Sequence, residues 1–298
     1  MKATLCGRLT SFRGLTLILL VLLGAMTVAT VASLLREPST RSTMSITTDV
    51  PRNNLADQRT PVPCPHQDST VGVILVLGQS NAANYAEKMF GTKFPSVVVN
   101  YLAGRCYTAM SPLLGASGGE GEFITPLADK LIENDTYKSV VIIAAAVGGS
   151  QISDWSAGGV INRSLIKTIG QIDEYQVTDV IWHQGEADFI ARTTTADYET
   201  SFNSLKQSLN DAGVVAPIFI SIATKCGYDI LWVRDNQIAI AQRRLVDNTE
   251  IFLAADTDDL LEVGDRRPDE CHLAYSGQLK VADAYAHAIR SYHQPSKP

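Results

Sequence analysis

From Val71 to Tyr292 the chain alternates short, uninterrupted apolar runs with longer segments whose apolar residues recur at helical spacing. Short runs of Val, Ile and Leu bounded by Gly, Asn or Ser read as strands buried on both faces. The amphipathic segments read as helices laid over them. Strands are predicted at 71–77, 97–102, 140–147, 177–183 and 217–223. Helices are predicted near 82–90, 125–133, 161–175, 196–212, 230–246 and 276–292, with a further short apolar run at 251–255. The expected class is α/β, with a parallel five-stranded sheet between helical layers. In such sheets ligands sit beyond the carboxyl ends of the strands, so the residues directly after each strand carry the functional weight.

The N-terminal part breaks this pattern. Lys2, Arg8 and Arg13 precede an uncharged run, 14–35, that is long enough for the roughly 20 residues a bilayer crossing takes. Positive charge before a span favours a cytoplasmic N-terminus. Residues 1–13 therefore read as cytoplasmic and 14–35 as a transmembrane signal-anchor. The remainder would be the lumenal or extracellular part of a single-pass type II membrane protein. A cleaved signal peptide is the alternative, with Thr30-Val31-Ala32 at the cut and a secreted or periplasmic product. Residues 36–68, rich in Ser, Thr, Pro, Asn and Asp, read as a stalk, 69–293 as the domain and 294–298 as a tail.

Composition narrows the class further. The 298 residues are 45% hydrophobic and 19% charged, which suits one globular domain with appendages. A formal net charge of −6 leaves no basic footprint, so nucleic acid is excluded as the first partner to propose. Cys6 lies before the span, and Cys64, Cys106, Cys226 and Cys271 form an even set on the oxidising side. They suit two disulfides in any of three pairings, with buried free thiols as the alternative. Asn134-Asp135-Thr136 and Asn162-Arg163-Ser164 are glycosylation sequons if the chain enters a eukaryotic secretory pathway.

The candidate chemistry lies in Gly78-Gln79-Ser80-Asn81, Gly148-Gly149-Ser150 and Gln184-Gly185-Glu186 after strands, and in Asp269-Glu270-Cys271-His272 before the last helix. A serine hydroxyl becomes a nucleophile when an imidazole takes its proton, and the imidazole needs an acceptor on its other nitrogen to fix the tautomer. Ser80, His272 and Asp269 can fill these roles. A developing oxyanion needs donors, for which the Ser80 N–H at a helix start, the Gly149 N–H and the Gln184 amide are candidates. Asn81, Gly148 and Glu186 read as supporting residues, and Gln79 and Trp155 as substrate contacts. Plainer readings stay open for each: Ser80 as a helix cap, the glycines as a tight turn, Asp269 and His272 as a turn and a helix end, Trp155 as core. The glycine-rich stretch 114–122 reads as a mobile loop near the site. No His or Cys spacing suggests a metal, and no cofactor is expected.

A Gly-x-Ser-x-Gly elbow is absent, since Ala82 stands where its second glycine would be. The stretches "LGQSNAAN", "AAAVGGSQISDW", "IWHQGEADF" and "DECHLAYSGQ", in that order, resemble the SGNH hydrolase superfamily. The likeness is to its sialate O-acetylesterase-like branch, carbohydrate esterase family 6, over about residues 71–292. The resemblance implies a three-layer α/β/α sandwich with flavodoxin-like topology. It also implies metal-free serine esterase chemistry and release of acetate from an acetylated carbohydrate. It assigns Ser80 as nucleophile, Gly149 and Gln184 as oxyanion donors beside Ser80, and Asp269 and His272 as acid and base. It also favours a Cys226–Cys271 disulfide. Ser150 stands where threonine is common and Ala187 where serine is common, departures that touch the hold on acyl group or sugar rather than the reaction. A lipase, thioesterase or acyltransferase on the same scaffold, or a catalytically silent glycan-binding surface domain, are the rival readings.

Overall fold

The computed structural model describes residues 55–172, 174–227 and 231–294. Among them, Pro61–Val62 (β1), Val71–Gly78 (β2), Val98–Leu102 (β3), Arg105–Thr108 (β4), Ser139–Ala144 (β5), Asp179–His183 (β6), Ile218–Ile222 (β7) and Ile251–Asp256 (β8) form one sheet. Its order is β1-β4-β3-β5-β2-β6-β7-β8. The strands from β3 to β8 in that order run parallel, and β4 and β1 join antiparallel at one edge. The helices are Ile124–Glu133 (α1), Ile152–Trp155 (α2), Val160–Ile169 (α3), Glu186–Ala191 (α4), Thr195–Asp211 (α5), Gln237–Leu245 (α6), Thr257–Leu260 (α7) and Tyr275–His293 (α8).

β2 is buried along its whole length because it has parallel neighbours on both sides and a helical layer over each face. Ile74 and Val76 point into a core shared with Leu127 and Leu131 of α1 and Val281, Tyr285 and Ile289 of α8. Val73, Leu75 and Leu77 point the other way, into a core with Trp155, Leu165, Phe202 and Ile238 from α2, α3, α5 and α6. The period-two alternation of one strand thus feeds two cores, which makes the α/β/α sandwich.

The sheet has eight strands rather than five. The apolar run at 251–255 is a sixth parallel strand, half-exposed at the far edge. β3 and β4 form a hairpin whose two turn residues, Ala103 and Gly104, both have positive φ (47° and 80°), the backbone that matches strand twist in a two-residue loop. An Ala at the first position disguises this turn in the sequence. The predicted strand at 140–147 ends at Ala144 and the predicted helix at 161–175 ends at Ile169, where Gly170 caps it.

Part of the expected stalk belongs to the domain. The Arg59 guanidinium donates to the Met110 and Pro112 carbonyls (2.9 and 2.6 Å), β1 pairs with β4, and Cys64 is bonded to Cys106. The Tyr175 hydroxyl closes the segment by donating to the Pro65 carbonyl at 2.7 Å. Its polar composition is that of an edge strand, which needs only one covered face. The cytoplasmic segment 1–13, the apolar segment 14–35, residues 36–54 of the stalk and 295–298 of the tail lie outside the described residues. Among the described residues no helix is long and apolar enough to cross a membrane.

The helix predicted at 82–90 does not form. A single 3-10 turn, Ser80–Ala82, is followed by irregular chain, with Asn84 at φ 65°. The reason lies in the glycine-rich stretch, which takes the hydrogen bonds a helix would use. Gly118 and Glu120 N–H donate to the Ala83 and Asn84 carbonyls, and Ala86 pairs with Gly121. Gly118 permits this contact, since a Cβ there would lie 2.3 Å from the Ala83 carbonyl oxygen. The stretch expected as a mobile loop is therefore packed against the serine turn.

Candidate active site

β5, β2 and β6 lie side by side, so the loops leaving their carboxyl ends meet. Val147 N–H donates to the Gly78 carbonyl and Gln79 N–H to the His183 carbonyl, each at 2.9 Å. Ser80 follows this knot, only 5% exposed. Gly149 (φ 69°) is exposed, with open space where a side chain would stand. Among the described residues no protein acceptor engages the N–H of Ser80 or Gly149. Two unengaged amides beside a serine are what a tetrahedral oxyanion requires. They act as individual donors, because no helix of useful length starts at Ser80.

The loop before α8 carries the second half. His272 Nδ1 and Asp269 Oδ2 are 2.7 Å apart, and Asp269 Oδ1 accepts the N–H groups of Cys271 and His272, each at 2.9 Å. Partial burial pulls the Asp269 carboxyl upward. The bonds from the His272 ring and the two amides outweigh it and hold the group below the usual carboxylate range. Asp269 is therefore ionised and fixes the Nδ1–H tautomer, leaving His272 Nε2 to accept a proton. The two side chains are 44% and 25% exposed, so the base opens to substrate. Among the described residues no hydrogen bond joins His272 to Ser80, a contact that commonly tightens only around substrate.

Asn81 brings the halves together. Its Nδ2 donates to the Cys271 carbonyl (3.2 Å) and to Glu186 Oε1 (3.1 Å), while its Oδ1 accepts the Leu273 N–H (2.9 Å). The residue beside Ser80 thus holds the backbone on both sides of His272. Arg266 also donates to the Cys271 carbonyl at 2.9 Å, and a Cys226–Cys271 disulfide ties the loop to the chain after β7. Tyr85 fills the space between His272, whose ring is 5.9 Å away and nearly parallel, and Gly148, where a Cβ would lie 2.6 Å from the tyrosine ring. Asn81→Ala is expected to lower kcat on p-nitrophenyl acetate roughly 10²-fold with little change in KM, the scale of a misplaced catalytic group. A kcat within a factor of about two of wild type would remove Asn81 from the account.

Other expected site residues play different parts. Gln184 is fully buried; its Nε2 donates to the Ser150 carbonyl (3.0 Å) and to Asp188 (2.5 Å), and its Oε1 accepts from the Tyr198 hydroxyl (2.9 Å). Both amide hydrogens are spent, so Gln184 stands as a strut for the loop after Gly149 rather than as an unengaged oxyanion donor. Gln79 is buried, and its Oε1 accepts from the Gly185 and Ala187 N–H groups instead of facing substrate. Trp155 is fully buried, packed edge-on against Trp182, and donates to Ser150 Oγ at 2.9 Å. It braces the glycine loop from behind and presents no face to a sugar. Asp188, which burial pushes upward, also receives Ile152 N–H and Thr193 Oγ1. The sequence reading missed Tyr85, Arg266, Tyr198 and Gln242, whose Nε2 donates to the Gln184 carbonyl at 2.6 Å. Tyr198 and Arg266 stand among polar neighbours and carry no local signal, whereas Gln242 is a polar residue among alanines and isoleucine.

A buried serine, an Asp–His pair and two unengaged amides at the carboxyl edge of a doubly wound sheet are the parts that serine ester hydrolysis requires. The chain belongs to the carbohydrate esterase, sialic acid-specific acetylesterase family, which it matches over residues 70–291. It is a carboxylic ester hydrolase that removes O-acetyl groups from carbohydrate. Among solved structures, a protein of Arabidopsis thaliana superposes with a TM-score of 0.60 at 18% identity, covering 75% of this chain and 99% of that one. XAC1771, a carbohydrate acetylesterase from Xanthomonas citri, gives 0.52 at 16% identity, covering 74% of this chain and 56% of that one. NanS gives 0.50 at 16% identity, covering 75% and 98%. At these identities the likeness is one of fold. No curated protein matches the chain.

Proposed function

We propose that Ser80 Oγ attacks the acetyl carbonyl while His272 Nε2 takes its proton. The tetrahedral oxyanion lies against the N–H groups of Ser80 and Gly149. Collapse breaks the bond to the sugar oxygen, which leaves with the proton from His272. Water then attacks the acetyl-serine by the same route, with His272 as base, and acetate departs. The observation that carries this reading is the Asn81 clamp, which holds the Asp269–His272 pair against the serine turn. Acetate release from a panel of O-acetylated glycans, compared with p-nitrophenyl esters of longer acyl chains, tests it. Preference for long acyl chains would favour a lipase or thioesterase instead.

The two disulfides fit an oxidising compartment. We read 14–35 as the segment that delivers the domain there, either as a type II signal-anchor or as a cleaved signal. In a eukaryotic secretory host the sequons would differ. Asn162 is buried with its Nδ2 donating to the Trp155 carbonyl and Ser208 Oγ, so a glycan there is incompatible with the fold. Asn134 stands half-buried at the end of α1 in a local turn with Thr136. Peptide mapping is expected to find glycan on Asn134 and none on Asn162; the reverse pattern would contradict this placement.

A further inference from the structure

Glu186 opens α4 and is 1% exposed, and among the described residues its Oε2 has no hydrogen-bond partner. Its Oε1 accepts from Asn81, and His183 Nε2 stands 3.9 Å from that oxygen. The protonation of His183 follows from its other nitrogen. Tyr285 donates its single hydroxyl hydrogen to the Trp182 carbonyl at 3.0 Å. Between Tyr285 and Ser221, 2.6 Å apart, Ser221 must then donate, so Ser221 Oγ accepts from His183 Nδ1–H at 3.0 Å. His183 Nε2 is left with a lone pair turned to Glu186. A carboxylate would be buried with no donor at Oε2 and a lone pair rather than a proton turned to Oε1; protonation removes the charge, the costliest part of that burial.

The surrounding groups agree. Burial is the largest influence and pushes Glu186 up to about 7; the bond from its own N–H, the charge of Arg266 and the Asn81 amide oppose it, and Asp258 adds to it. Burial, aided by Arg266, pushes His183 down to about 3, so the imidazole is neutral and supplies no counter-charge. The neighbouring Tyr198 and Tyr285 hydroxyls are held well above their usual range by burial and stay neutral.

We propose that Glu186 is a positioning residue acting as a neutral acid: through Asn81 it fixes the peptide groups on both sides of His272, and its ionisation loosens the catalytic histidine. An ionised Glu186 draws the Asn81 amide towards itself and weakens its hold on the Cys271 carbonyl. The proposal rests on the reading of Ser80 and His272 as nucleophile and base, and it is distinct from a role as the acid that orients His272, which Asp269 fills.

The test compares Glu186→Gln and Glu186→Ala with wild type on p-nitrophenyl acetate, measuring kcat and KM on both sides of neutrality. Glutamine keeps an oxygen to accept from Asn81 and cannot ionise. Glu186→Gln is expected to keep kcat within about threefold of wild type on the acid side, and to lack the fall in kcat that wild type shows as pH rises through about 7. Glu186→Ala is expected to lose roughly tenfold or more in kcat at similar KM. Thermal unfolding supplies an arm that needs no activity. The unfolded chain releases this proton near 4.5 and the folded one near 7, so the wild-type midpoint should fall across that window while that of Glu186→Gln does not. A glutamine variant as impaired as the alanine one, an unaffected alanine variant, or identical pH dependence in wild type and Glu186→Gln would each overturn the proposal. A wild type without esterase activity would overturn the catalytic reading and this role with it, whereas an active wild type with an unaffected Glu186→Ala overturns only the role of Glu186.

Discussion

Ser80→Ala is expected to lower kcat for acetate release roughly 10⁶-fold, the scale on which a serine nucleophile fails when its oxygen is removed. The loss should come without loss of fold. Among the described residues the Ser80 hydroxyl makes no hydrogen bond to the protein, so its removal orphans no buried partner. Stability is expected within about 0.5 kcal/mol of wild type by chemical denaturation. A variant that unfolds would show that the serine is a structural cap. A folded variant that still turns over would show that another group attacks the ester.

Asp269→Asn should cost roughly 10⁴ in kcat, with the loop geometry kept. An asparagine oxygen can still accept the Cys271 and His272 N–H groups that Asp269 Oδ1 accepts now. Its NH₂ would then face His272 Nδ1, where Oδ2 stands at 2.7 Å, and stabilise the opposite tautomer. The hydrogen would sit on Nε2, which could no longer take the serine proton. Kinetics together with nitrogen chemical shifts of His272 check both halves, and a loss below about tenfold would leave Asp269 without its role.

The strands that carry the site were legible because a parallel strand buried on both faces has little freedom in composition, as in Val71–Gly78 and Asp179–His183. The Asp269-x-x-His272 pair was legible for a different reason, since both partners lie on one turn. Contacts between distant segments were not. The bond from Asn81 to Cys271 joins residues 190 positions apart, and nothing local to either announces it. The absent helix after Ser80 fails in the same way, because the competing bonds come from Gly118 and Glu120. Trp155 and Gln79 misled because an aromatic ring and an amide near a site suit substrate as well as they suit packing. Their burial beneath the loops decides between the two.

The covalent step is read directly from the mass of the peptide carrying Ser80 after the enzyme is mixed with an acetyl ester and quenched in acid within a turnover. One acetyl group is expected on Ser80 in wild type, accumulating further in a variant slow in deacylation, and none in Ser80→Ala. An active enzyme that acquires its acetyl group on another residue would contradict that expectation.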